Sequence, residues 1–333
     1  MSTPNNHIPT ILIIGAGPGG LLLYHGIQKH LNKNVKKFNV KIFERDIGPQ
    51  DRWQGYNIGL YPHGIRSLIS CLPESLVTRL SEVMPDPIHE KEYHGVISCD
   101  HKGTELSRST SLYFKSLFEL AMMPTYPMMS TYSVIISYRN KLRDLMLEGV
   151  DIQWGKKCIG YDECDNEVWA IFQDGTRVRG DILIGCDGIN SPIRKQKLPH
   201  LQLFDYGITQ FIKLLGTLTY NPLKRRPVQD INPMSVEAWE STRVTLLGDA
   251  IHAMNPFLGY GTNNALQDAE SLVKCLSNYE KHGYRSCIRE YENEMRVRSS
   301  KDVLESRESC LTQNLPKSEY GYLFNDIYLS GKL

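Results

Sequence analysis

Three short stretches carry residue types able to hold a charged, hydroxyl-rich ligand: Gly15-Ala16-Gly17-Pro18-Gly19-Gly20, Cys186-Asp187-Gly188 and Gly248-Asp249-Ala250. Gly15, Gly17 and Gly20 match G-x-G-x-x-G. The first glycine of that pattern permits a tight turn, the second lets backbone amides approach a pyrophosphate, and the third lets a helix lie close on a sheet. Glu44 follows Gly20 by 24 positions, about where an acid accepts ribose hydroxyls. Asp187 and Asp249 each end an apolar run, a placement from which a carboxylate can take the hydroxyls of a sugar or ribityl chain. The chemistry these residues share is dinucleotide binding. A glycine-rich turn beside a surface glutamate is the plainer alternative, and the surrounding elements decide between the two.

Such a turn needs a strand before it and a helix after it. Residues 11–14 are continuously apolar, as in a parallel strand buried on both faces. A helix predicted over about 19–30 would aim its positive end at the phosphates. A second strand, 40–43, ends in Glu44. Residues 168–172 and 177–179 flank Asp174-Gly175 and predict a hairpin. Strands over 181–186 and 243–247 then deliver Asp187 and Gly248, and a helix is expected over about 265–276. Amides at 261–263, ahead of that helix, can stabilise negative charge on a reduced ring. The first motif alone suits a nicotinamide or a flavin. A plain nicotinamide dehydrogenase would continue past Glu44 with alternating strands and helices, and this chain does not.

Bulk properties exclude several classes. The 333 residues carry a formal net charge of +1, which makes no electrostatic case for nucleic acid or an acidic membrane surface. The eight cysteines form no CxxC pair and no metal-ligand spacing, so reduced thiols, no metal and a cytoplasmic setting are expected. The apolar run at 11–14 is far too short for a signal core or a membrane span.

Taken together, the blocks resemble the single-component FAD-dependent aromatic hydroxylases and related monooxygenases with the para-hydroxybenzoate hydroxylase fold. The likeness runs from about residue 10 to about residue 310, and its last block is the most specific. It implies an α/β fold, with a Rossmann-like FAD-binding domain and a smaller, β-rich substrate domain. It also implies FAD with NAD(P)H as a transient electron donor, and a small-molecule substrate. Gly15, Gly17, Gly20 and Glu44 are similar to the family's pyrophosphate and ribose contacts, and Arg52 lies where a basic residue often stands near the cofactor. Residues 136–142 resemble the helix that carries a flavin-contacting arginine, which makes Arg139 the match. Asp187-Gly188, with Ser191 and Arg194, resembles the motif implicated in both FAD and NAD(P)H binding. Asp249, Pro256, Gly259, Gly261, Thr262 and Asn263 resemble the ribityl and isoalloxazine shell. The same likeness suggests hydroxylation or epoxidation of an aromatic or secondary-metabolite substrate.

One departure stands out. Only 62 positions separate Asp187 from Asp249, and family members hold considerably more there. The expected division is therefore an FAD-binding domain from 1–75, 130–195 and 240–285. A reduced substrate domain takes 76–129 and 196–239, and a helical C-terminal segment takes 286–333. Residues 204–220 leave room for a strand or two, 221–227 read as a polar loop, and 228–239 as connector. A water-poor site is what the reactive state of such a cofactor needs, so the short interval keeps a second reading open: a flavin-binding protein without a complete substrate pocket. A flavin-dependent halogenase is a third, though Trp53, Trp154, Trp169 and Trp239 are all isolated and give no Trp-x-Trp. His252 and His63 read as packing and turn residues rather than bases, and no catalytic residue is assigned. Met122, Met123, Met128 and Met129 suit an adaptable pocket or plain filler. Tyr56, Tyr113 and Tyr206 are candidate donors to a phenol, and residues 288–311 predict a surface-covering helix.

Overall fold

Ile11, Leu12 and Ile13 are completely buried because their strand, Thr10–Ile14 (β1), runs through the middle of the molecule. The computed structural model describes residues 7–51, 56–84, 97–99, 103–108, 116–123, 134–210 and 226–312. Four further strands join β1: Asn39–Phe43 (β2), Ile152–Gln153 (β3), Ile182–Gly185 (β4) and Val244–Leu246 (β5). The order is β5-β4-β1-β2-β3, and every pairing is parallel. An apolar strand with no polar face has to be covered on both sides, and helices do this. The chain is thus an α/β protein on a Rossmann-like sheet.

The helix after β1, Pro18–Gly26 (α1), opens with proline at its first position, where no amide is needed. With the π-helical turn that continues it, Ile27–Leu31, the helical run reaches Leu31, close to the expected limit. Asn32 then takes the Lys37 and Phe38 amides on its side-chain oxygen, turning the chain toward β2. Helix Pro62–Cys71 (α2) begins before His63, which is therefore helical and not in a turn. Residues 136–142, expected as one helix, divide instead. Ile135–Tyr138 is a strand paired antiparallel with Asn57–Leu60, and Arg139 opens the helix Arg139–Leu147 (α3).

The predicted hairpin is present as Val168–Phe172 with Arg177–Gly180, and Gly175 sits at φ 83° in its turn. A third strand, Cys158–Glu163, was not legible beforehand. The supposed connector at 228–239 is also corrected: Arg226–Asp230 is a strand, paired antiparallel with Phe204–Gln210. Pro227 is tolerated there because, among the described residues, the sheet has two strands and Pro227 lies on an edge.

Helix Tyr260–Leu276 (α4) starts about five residues earlier than expected, since Gly259 at φ 68° turns the chain directly into it. The last helix, Tyr279–Thr312 (α5), breaks at Gly283 (φ 70°, ψ 168°). It is more than a surface cover. Ile288, Tyr291, Met295 and Val303 are buried, and the Tyr291 hydroxyl donates to the Leu246 carbonyl at 2.9 Å, fastening α5 beneath β5. Among the described residues no helix is long and apolar enough to cross a membrane.

Candidate functional site

The carboxyl ends of β2, β1, β4 and β5 open onto one cleft of about 650 Å³. Ligands of open parallel sheets lie at this edge, where loops rather than strand backbone face outward. The volume is in the range of small-molecule and cofactor sites. Gly15, Gly17 and Gly20 line the cleft after β1, and Glu44 after β2. Asp187 and Gly188 follow β4, and Gly248 and Asp249 follow β5. The three glycine and aspartate turns, far apart in sequence, therefore converge. Arg139, at the head of α3, and Gly261 and Thr262, in the first turn of α4, complete the wall.

Three other candidates stand off the cleft. Asn263 is fully buried, and its side chain is occupied structurally: it accepts from the Tyr61 amide and donates to the Gly59 and Gly259 carbonyls. Gly259 caps α4, and Pro256 is exposed. Arg52, Tyr113, Met128 and Met129 lie outside the described residues. Sequence reasoning missed Arg45, Lys156, Lys157, Cys158 and Ile159, which close the end of the cleft near β2. Arg45 follows Glu44 directly and was available as a signal. The other four depend on the unforeseen strand at 158–163.

Other candidates have structural employment. Arg194 is almost completely buried and donates to the Ala250 carbonyl at 3.0 Å, so it braces the β4 turn against the β5 turn. Burial lowers its pKa, against the pull of Asp187. Arg194→Ala is expected to cost about 3 kcal/mol of stability through the lost bond and the cavity left behind, measured by urea unfolding. The Tyr206 hydroxyl donates to Asp230 at 2.5 Å, and Arg307 holds the same carboxylate, which removes Tyr206 as a donor to substrate. Tyr56 does line the cleft, with the Arg139 guanidinium 5.2 Å from its ring centre. Met122 is 80% exposed, which rules it out as pocket lining. His63 stacks on Tyr61, and burial pulls its pKa down to about 4. His252 is fully buried against Asp268 and absent from the cleft wall.

Comparison with known proteins gives the site its context. An FAD binding domain family matches residues 217–306. The FAD-dependent monooxygenase thnD of Trichoderma harzianum is 24% identical over 407 aligned positions, covering 90% of this chain and 92% of that protein. The chain is similar to FAD-dependent monooxygenases along nearly its whole length. A second similar protein, the FAD-dependent monooxygenase cctM of Talaromyces islandicus, is 29% identical over 59% of this chain but only 43% of its own length. The thnD alignment is longer than the chain itself, so parts of that relative have no counterpart here. In fold, HpxO of Klebsiella pneumoniae, solved with FAD and uric acid, superposes with a TM-score of 0.69 at 19% identity, covering 97% of this chain and 95% of that one.

The residues present fit FAD. Gly17 caps α1 without a side-chain bond, and the first helical acceptor pairing is Leu21 to Gly17. The Gly19 and Gly20 amides are left at the cleft with no acceptor in the helix, as a phosphate requires. Neither carboxylate oxygen of Asp187 meets a protein donor in hydrogen-bonding geometry, although both are buried. A hydroxyl-bearing ligand would supply the missing donor. Burial pushes the Asp187 pKa up to about 6, against the pull of nearby Ser191 and Arg194. Asp249 stands exposed on the cleft wall; the protein around it raises its pKa by desolvation, and His252 and Arg139 oppose the rise.

Proposed function

We propose that this enzyme uses NAD(P)H and dioxygen to hydroxylate or epoxidise an electron-rich aromatic or alkene, one oxygen atom entering the substrate and the other leaving as water. FAD, when bound, supplies the electron transfer and oxygen activation. The protein's own residues bind, orient and exclude water. The observation that carries this reading is the convergence of the turns at 15–20, 187–188 and 248–249 on one cleft.

In this reading the amides after Gly17 hold the pyrophosphate, and Glu44 the ribose. Glu44 is already fixed for that task, since its oxygens accept the Ala16 and Asp46 amides at 2.8 and 3.1 Å. Arg139 supplies positive charge on the cleft wall. Asp187 and Asp249 accept hydroxyls, and the first turn of α4 directs its amides at the ring. Pro256, Gly259 and Asn263 act from behind, by setting where α4 begins. FAD then occupies 1–75, 130–195 and 240–285, the substrate region is the reduced 76–129 and 196–239, and 286–333 is the C-terminal helical segment. The enzyme works in the cytoplasm, where the nicotinamide is supplied.

A secondary-metabolite substrate is supported by the fungal relatives thnD and cctM, and an aromatic one by the uric acid held in HpxO. The short interval between Asp187 and Asp249 favours a second reading, a flavin-binding protein that cannot enclose substrate. Purified protein separates the two. A yellow preparation whose NAD(P)H oxidation is accelerated by a phenol or prenylated aromatic, with product one oxygen heavier, is the expected result. Yellow protein yielding only peroxide across the panel supports the second reading, and colourless protein that takes up no FAD overturns both.

A further inference from the structure

Gly248 sits at φ 65° and ψ −143°, a geometry that local preference does not hold by itself, yet it delivers Asp249 to the cleft. What fixes it comes from α4. The buried Asp268 accepts the Gly248 amide on Oδ2 at 2.8 Å. The same oxygen accepts His252 Nε2 at 2.6 Å, and Oδ1 accepts Arg298 Nη2 at 2.7 Å. Because the carboxylate can only accept, the His252 proton on this bond sits on Nε2. Arg298 belongs to α5 and also donates to Asn264 Oδ1 at 2.8 Å, while Asn264 donates to the buried Asp302 at 2.7 Å. A polar seam thus runs from α5 through α4 to the β5 turn. None of its side chains touches the cleft.

We propose that Asp268 is a positioning residue for FAD: with His252 and Arg298 it locks the Gly248–Asp249 turn and the first turn of α4 in the conformation that receives the flavin. This rests on the flavin reading of the cleft. Three charge-assisted bonds converge on one carboxylate in a dry interior, where each is strong and loss of any one leaves a buried group unpaired. Besides these, the turn is held by the short bonds from Ile251 and His252 back to the Gly248 carbonyl and by Arg194 on the Ala250 carbonyl, none of which reaches the Gly248 amide itself.

The test titrates apoprotein into FAD and follows quenching of flavin fluorescence, alongside circular dichroism and melting temperature. Asp268→Asn and Arg298→Met are expected to raise the FAD dissociation constant about tenfold, or about 1.4 kcal/mol. Arg298→Lys should recover most of that loss, and the exposed Lys274→Ala on α4 should change nothing. Both changes should also shift the flavin midpoint potential, which a purely structural role leaves alone. Folded Asp268→Asn and Arg298→Met proteins with the parent's affinity and potential would overturn the proposal. Should neither variant fold, hydrogen exchange in the unaltered apoprotein decides: the Gly248 amide should exchange as slowly as those of β5, and fast exchange there refutes the lock. A parent chain that takes up no FAD sinks the flavin reading but leaves the exchange result to judge the seam.

Discussion

Gly17→Ala is expected to leave the apoprotein folded, with unchanged circular dichroism and a melting temperature close to the parent's, while weakening FAD binding at least about a hundredfold. The backbone at Gly17 (φ −82°, ψ 177°) is one that alanine adopts freely. No heavy atom lies within 4 Å of where its Cβ would stand, because that direction is the open cleft. The methyl therefore costs the fold little and takes the space of a phosphate. Its two neighbours in the motif should behave oppositely. A Cβ on Gly15 would lie 2.3 Å from the Cys186 carbonyl oxygen, at a φ of 113° that alanine avoids. One on Gly20 would lie 2.2 Å from the Gly15 carbonyl oxygen. Both obstacles are backbone and cannot rotate aside, so Gly15→Ala and Gly20→Ala should each cost about 4 kcal/mol or more and yield little folded protein. Equilibrium titration with FAD, run beside thermal melts, checks all three. A Gly17→Ala protein binding FAD like the parent would remove the pyrophosphate from this turn.

Much of the cleft was legible because its parts are local. Residues 11–14 and 182–184 announce buried strands by unbroken apolar character, 40–43 is apolar except for Lys41, and a glycine or acid placed directly after such a strand can only face the carboxyl edge. What stayed hidden depends on contacts distant in sequence. Cys158–Glu163 mixes apolar and charged residues without regular alternation, and it is a strand because the Val168–Phe172 hairpin pairs with it. Lys156 and Lys157 reach the cleft only through that pairing. The start of α4 was misread for a related reason: Tyr260-Gly261-Thr262-Asn263 has poor helix propensity, and tertiary bonds from Asn263 to Gly59 and Tyr61 overrule it. Arg298 looked like one member of an alternating charged surface. It is held inward by Asp268, a residue thirty positions away with no sequence signature linking the two.

Replacing Asp187 by Asn should produce opposite effects on stability and binding. Burial lifts the folded pKa of Asp187 to about 6 from an ordinary value of 3.8. The folded apoprotein thus binds this proton more readily than the unfolded chain. For a carboxyl raised in this way, the stability contribution is complete below the unfolded value and is lost as pH rises through the folded one. Above about pH 6 the apoprotein carries the full cost of a buried, poorly solvated carboxylate, on the order of 3 kcal/mol. Asn has nearly the same shape and no charge to bury. Asp187→Asn should therefore raise the apoprotein melting temperature by several degrees near neutral pH, and the gain should shrink toward pH 4, where the parent is itself protonated. The same change removes an anionic acceptor from the cleft wall, so FAD affinity should fall about tenfold near neutral pH. Calorimetry of parent and variant apoproteins across this range measures the first effect, and flavin titration the second. A variant that melts lower than the parent at neutral pH would mean that the carboxylate is satisfied within the protein. Its missing partner would then not be the cofactor, and Asp187 would leave the binding site. A stabilised variant with weakened flavin affinity instead identifies a residue retained at a cost to the fold because the ligand uses its charge.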